Sequence, residues 1–207
     1  ADLAVQFPDA QVLALVVDAA ARGEKVPVPF AAVQPPLASS PAQERLFHFL
    51  GDTAAFENAP ALEADTFSGP QPAWDGAYRD YWESALPASV FPESRAPGRQ
   101  IGMASDLVKM RVVNRDGQEI GRVQDLILDR RSGELQYLVV SAGGVLGIGE
   151  KWIPAPPSAL NFDGEAGRFT RAGARARLAQ APNGDLAQFP EFPASDWDEE
   201  IRAYWGE

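Results

Sequence analysis

The second half of the chain rewrites the first, which constrains the fold more than any single motif. Trp74-Asp75, Arg79 and Tyr81-Trp82 return as Trp197-Asp198, Arg202 and Tyr204-Trp205, an offset of 123 residues. The run from Asp2-Leu3 to Leu15-Val16-Val17 lies over Asp125-Leu126 to Leu138-Val139-Val140 at the same offset, without a gap. Further on, Gly23-Glu24-Lys25 matches Gly149-Glu150-Lys151 at 126, and Val26-Pro27-Val28-Pro29 matches Ile153-Pro154-Ala155-Pro156 at 127. The first copy is therefore a few residues shorter where the second carries Gly143-Gly144-Val145-Leu146-Gly147-Ile148-Gly149. Repeats of roughly 20 to 50 residues stack into solenoids, whereas a period this long predicts two whole domains. The expected division is a first module over residues 1–83, a linker over 84–100 and a second module over 101–207. The linker assignment rests on Pro87, Pro92, Pro97 and Gly98 in a stretch without apolar periodicity.

The second module reads as strands. Residues 107–113 and 119–123 are β-branched runs on either side of Asn114-Arg115-Asp116-Gly117, which predicts a hairpin. Residues 126–129 and 134–140 flank Arg130-Arg131-Ser132-Gly133 and predict a second, and residues 151–154 and 168–170 give shorter strands. About six strands at this spacing suggest a small barrel. Each half then closes with a helix. Ser195-Asp196 supplies an N-cap candidate, and Asp198, Glu199 and Glu200 load the first turn with charge that suits the helix dipole. Trp197, Ile201 and Tyr204 share one face of that helix, as do Trp74, Tyr78 and Tyr81 of its counterpart. Residues 171–181 also have fair helix propensity, weakened by Gly173.

The 29 acidic residues against 18 basic ones give a net charge of −11, which opposes binding to a phosphate backbone and repels an anionic membrane surface. No stretch approaches the roughly 18 apolar residues of a membrane span. The absence of cysteine excludes disulfides, thiolate nucleophiles and Cys-ligated metal sites.

The second copy resembles the PRC-barrel domains, named from the H subunit of the photosynthetic reaction centre and found also in a ribosome maturation factor. The residues that carry the resemblance are Ser105-Asp106-Leu107, Val112, Asp116-Gly117, Ile120-Gly121-Arg122-Val123-Gln124-Asp125-Leu126, Tyr137-Leu138-Val139-Val140, Gly143-Gly144, Gly147-Ile148-Gly149-Glu150 and Ile153-Pro154. It covers residues 103–182, and the internal repeat extends it weakly over 1–60. The expected fold is therefore mainly β: two tandem small PRC-type β-barrels, each followed by a short C-terminal helix. The first copy begins at the residue matching Gln124, so it has no counterpart of the hairpin over 107–123. Either the chain is a processed or truncated form, which is the favoured expectation, or another segment fills the gap.

Little in the chain asks for catalysis. His48, the single histidine, sits in a strand-like apolar run and has no equivalent in the second copy. Asp125, Asp129 and Glu134 flank a turn without EF-hand spacing and read as solvated charges. The glycine-rich 143–149 segment lacks the Lys-Ser/Thr ending of a phosphate loop, and its glycines read as turn formers. No catalytic, cofactor or metal residue is expected. The pairs Tyr81-Trp82 and Tyr204-Trp205 point about 100° apart along a helix, so one ring of each can reach the surface, where tryptophan is a favoured contact residue. Trp82 and Trp205, with Trp152 and the loop residues Val145, Leu146 and Ile148, form the expected protein-interaction set. What the resemblance implies is a non-enzymatic structural or assembly protein that docks on a larger protein complex. Its most concrete form is a peripheral subunit of a membrane-bound, photosynthetic reaction-centre type of assembly, bound through protein partners with no nucleic acid and no direct span. The alternatives weighed are an envelope or stress-response binding protein, an RNA-associated maturation factor, which the charge opposes, and a hydrolase, supported only by abundant carboxylates.

Overall fold

The computed structural model describes residues 1–20, 22–34, 47–62, 69–70, 74–87, 99–145, 148–171, 178, 180–182 and 195–206, without the side chains of 69–70, 143–150 and 195–196. The chain is mainly β and divides into two compact units. Unit 1 is Ala1–Ser105 with Arg130–Glu134; unit 2 is Asp106–Asp129 with Leu135–Glu207.

In unit 1, β1 (Asp2–Phe7), β2 (Gln11–Ala19) and β3 (Glu24–Pro29) form an antiparallel meander. The alternation of Val12, Ala14 and Val16 with half-exposed neighbours fixes which face of β2 turns inward. After two short strands, β4 (Val33–Gln34) and β5 (His48–Phe49), come helix α1 (Thr53–Glu57), strand β6 (Gly69–Pro70), helix α2 (Trp74–Ala85) and strand β7 (Gln100–Met103). Asp52 caps α1 by accepting from the Ala55 N–H at 2.6 Å. Trp74, Tyr78 and Trp82 of α2, and Leu86 just past its end, recur every four residues and are all buried with Ala4, Ala14, Val16, Val26 and Val28 of the meander. Unit 1 also takes in the turn at Gly133, whose carbonyl accepts from the Val12 N–H at 2.7 Å.

Gln100, the last residue of the expected linker, opens β7, which pairs antiparallel with residues 4–7 of β1. The outer edge of β1 is thus covered by another segment, the second of the two expectations for that edge; it removes a row of unpaired backbone groups.

Unit 2 follows helix α3 (Ala104–Leu107) with β8 (Arg111–Val113), β9 (Glu119–Leu128), β10 (Leu135–Val145), β11 (Ile148–Ala155), β12 (Asn161–Asp163), β13 (Arg168–Thr170) and the closing helix α4 (Ser195–Trp205). The expected first strand is shorter than its apolar run: Leu107 is helical and fully buried, and β8 begins only at Arg111. Between β8 and β9, Asn114 holds the turn by accepting from the backbone of Asp116 and Gln118 at 3.0 and 2.9 Å, while Gly117 supplies the positive φ of 78°. The helical expectation over 171–181 falls mostly outside the described residues.

The sheets run β3-β2-β1-β7-β6 and β11-β10-β9-β8-β13-β12, with β4-β5 apart. None closes into a barrel, since among the described residues no hydrogen-bonded ladder joins the two outer strands of either large sheet. The tandem closed barrels expected from the sequence are therefore represented here by open sheets. Their meanders nevertheless keep a common register. Asp2↔Val16, Leu3↔Leu15 and Ala4↔Ala14 in unit 1 stand where Asp125↔Val139, Leu126↔Leu138 and Ile127↔Tyr137 stand in unit 2. Leu15↔Val28 and Val16↔Pro27 likewise correspond to Leu138↔Ala155 and Val139↔Pro154.

Candidate functional site

The closing helices are pinned to their meanders by the same bond. In unit 1 the Trp82 indole N–H donates to the Pro27 carbonyl at 2.9 Å; in unit 2 the Trp205 indole donates to the Pro154 carbonyl at 2.8 Å. A proline on an outer strand offers no N–H to a neighbour, and the indole satisfies its carbonyl.

Burial separates the two rings. Trp82 is 0% exposed, with Phe49 edge-on at 5.8 Å and Tyr81 at 5.0 Å. It lies in the core of unit 1 and presents no ring surface, so the expectation of a contact residue fails there. Phe49 of β5 lies against the ring, and the Tyr81 hydroxyl donates to the Ala55 carbonyl of α1 at 2.5 Å. Trp205 is half-buried, packed on Tyr204 at 5.3 Å and under the Arg171 guanidinium at 4.0 Å from the ring centre. Such a cation–π contact contributes about 0.5–1 kcal/mol near the surface. Trp152, also half-buried, sits opposite Ser141 on β11, two residues before the Pro154 that holds Trp205. The strand thus carries one half-exposed tryptophan and bonds a second from the helix. Val145 and Ile148 pair at the end of the β10–β11 hairpin; their side chains, and all of Leu146, lie outside the described residues.

The helix starts differ in their electrostatics. Asp75 is buried and accepts from Arg79 at 3.3 Å and from Arg99, whose second nitrogen donates to Gln6 at 2.9 Å; Gln6 in turn donates to Asp9 at 2.8 Å. Burial pushes the Asp75 carboxyl above its ordinary range, against the charge and hydrogen bond of Arg79. At the corresponding place in unit 2, Asp198 is only partly buried and accepts from Arg202 at 2.9 Å and from the Tyr137 hydroxyl. Partial burial pushes this carboxyl up, but the bonds from Tyr137 and Arg202 and the Arg202 charge outweigh it and leave it below its ordinary value. Arg99, Gln6 and Tyr137 escape a sequence reading because Arg99 meets Asp75 across a proline-rich stretch, Gln6 meets Arg99 from 93 positions away and Tyr137 meets Asp198 from 61.

The remaining candidates stay apart. His48 is exposed on β5, and Asp125, Asp129 and Glu134 are exposed around their turn. Among the described residues no three metal-ligating side chains gather, and no helix is long and apolar enough to cross a membrane.

Residues 103–170 match the model of the PRC-barrel domain family, and this segment is a PRC-barrel domain. It covers the end of β7 through β13. PRC-barrel domains mediate protein interactions. No curated protein matches the chain.

Proposed function

We propose that this chain, through the PRC-barrel domain it carries at residues 103–170, is a non-enzymatic assembly protein that docks on a larger protein complex. Its plan in this reading is two PRC-type modules in tandem, the second presenting the contact surface. The most specific form of the proposal is a peripheral subunit of a membrane-bound complex of the photosynthetic reaction-centre type, held there by protein contacts. The observation that carries the docking role is the half-exposed Trp152 on the outer strand β11 of a domain of an interaction family, with the half-exposed Trp205 of the closing helix bonded to Pro154 of the same strand. Large rigid rings at the edge of a sheet give contact area at low entropic cost. The strongly acidic surface suits a partner face rich in Lys and Arg.

Gentle isolation from native membranes with a photo-crosslinking residue at position 152 tests this. The expected result is one defined protein partner, with the yield reduced by Trp205→Ala. Recovery of the free chain alone, without crosslinks, contradicts the proposal.

A further inference from the structure

The outer strands of the two meanders share a register and differ in what lies along their far side. Lys25 of β3 stands opposite Asp18, two residues before Pro27; Trp152 of β11 stands opposite Ser141, the residue that matches Asp18, and two residues before Pro154. Main-chain groups along an antiparallel strand turn alternately to one side and the other, so residues two apart face the same way. In unit 1 that way is outward, because the Lys25 carbonyl accepts the Leu62 N–H at 2.7 Å and the Pro27 carbonyl accepts the Trp82 indole. In unit 2 the Pro154 carbonyl accepts the Trp205 indole in the same manner, so the N–H and C=O of Trp152, and of Glu150 two residues earlier, face outward too. The segment after α1 covers the edge of β3: Leu62 bridges Lys25 antiparallel, and Arg22 holds the chain by donating to the Glu57 and Ala59 carbonyls at 2.9 and 3.0 Å. The strands after β11 go instead to the other end of their sheet, β13 beside β8 and β12 beyond it, and among the described residues β11 has a neighbouring strand, β10, on one side only.

A strand edge without a neighbour offers its main chain for pairing, and adding an extended peptide to such an edge is a general recognition mode. We propose that the outer edge of β11 at Glu150 and Trp152 is a strand-addition site for a partner protein. The occupant is an extended segment of that partner, running antiparallel to β11, with an apolar residue where Leu62 lies on β3 and with Lys or Arg on either side. The antiparallel sense and the apolar residue follow from Leu62, which is buried in the core of unit 1 while its N–H bonds to Lys25. The basic flanks answer the net charge of −11. The Trp205 indole bounds the site at Pro154, as the Trp82 indole does at Pro27 without hindering Leu62. The inference rests on the docking role proposed above and supplies its means, main-chain pairing beside the Trp152 ring.

The probe is a synthetic peptide, Lys-Lys-Val-Thr-Leu-Thr-Val-Lys-Lys, whose β-branched residues favour an extended chain. It is titrated into the full chain to millimolar concentration, and amide hydrogen exchange is read residue by residue. Saturable binding is expected with an alternating signature: the amides of Glu150 and Trp152 exchange fast in the free chain and become protected, whereas those of Lys151 and Ile153, which face β10, are slow throughout. The same peptide with glutamate in place of lysine is expected not to bind. Replacing the Trp152 peptide bond by an ester, through the α-hydroxy acid analogue of tryptophan, keeps the ring, removes the N–H and weakens binding about fivefold, the effect of one neutral hydrogen bond. That variant is scored only if its circular dichroism matches the parent; the exchange pattern decides otherwise. Slow exchange at 150 and 152 in the free chain, no binding, equal binding of the glutamate peptide, or protection gained only around Lys25 overturns the inference. So does binding that protects neither 150 nor 152, which marks contact with side chains alone. The native complex separates this site from the docking role. A chain that crosslinks to its partner through position 152 while 150 and 152 still exchange fast keeps the docking role and loses the strand-addition site. Protection by the peptide in a chain that crosslinks to no partner does the reverse.

Discussion

The two units fasten a closing helix to a three-stranded meander with the same indole-to-proline bond, yet fill the space between them from opposite sides. In unit 1 the helix supplies the large ring: Tyr78 meets Trp74 edge-on at 5.5 Å, and the strand position beneath is Ala14. In unit 2 the strand supplies it: Tyr137, which takes the place of Ala14, meets Trp197 at the same 5.5 Å, and the helix position is the smaller Ile201. The hydroxyls follow their rings, Tyr78 donating to the Leu13 carbonyl at 3.1 Å and Tyr137 to Asp198. Volume is kept while its source changes, as close packing demands. The charges diverge in parallel. Where the tyrosine comes from the helix, Asp75 is left to two buried arginines; where it comes from the strand, its hydroxyl takes a share of Asp198.

The largest expected effect separates the charge networks. Arg99→Ala leaves the buried Asp75 with a single guanidinium and is expected to cost about 3–5 kcal/mol, whereas Tyr137→Phe removes one hydrogen bond from a partly exposed carboxylate and costs about 1 kcal/mol. Denaturant unfolding of both variants measures the gap. Faster amide exchange at residues 4–7 in the Arg99 variant is expected too, because that side chain ties β7 to β1 through Gln6. Equal costs break the comparison.

A middle-sized effect tests the exchange of volume. Tyr78→Ile alone is expected to cost about 2–4 kcal/mol by opening a cavity, and Ala14→Tyr alone to cost about 1–3 kcal/mol by overpacking. The double variant, which copies the unit 2 arrangement, is expected to be more stable than the sum of the two predicts by about 1–2 kcal/mol. Strict additivity in a double-mutant cycle contradicts the account.

The smallest effect is a pH dependence. Because Asp198 titrates below its ordinary value in the folded chain, its contribution is fully present above the unfolded carboxyl value of about 3.9. It is lost as pH falls through the lower folded value. Exposure of the pair limits it to a fraction of a typical buried bridge. A melting series from pH 6 to pH 2.5 is expected to fall less steeply at its acid end in Asp198→Asn than in the parent.

What the sequence made legible is what local periodicity encodes. The alternation in β2 and β10, the Asn114–Gly117 turn and the four-residue spacing of Trp74, Tyr78 and Trp82 each follow from side chains close in the chain. The offset between halves even anticipates the common register, because a one-residue slip would turn every apolar side chain outward. Three features were not legible. Strand β7 is four residues with an interior glycine, next to a proline-rich stretch, and its distant neighbours β1 and β6 make it a strand. The Asp75–Arg99–Gln6 network joins three distant segments, with no spacing to mark it. The fate of Trp82 turned on Phe49, which lies edge-on to its ring from β5, a two-residue strand with no alternating pattern to mark it.

The docking role is tested most directly by comparing crosslinkers placed one at a time at Trp152 in unit 2 and at Leu50, an exposed apolar residue of unit 1, in cells that make the native complex. The account predicts a single partner captured from position 152 and none from position 50. Capture from position 50 alone, or from neither, would contradict it.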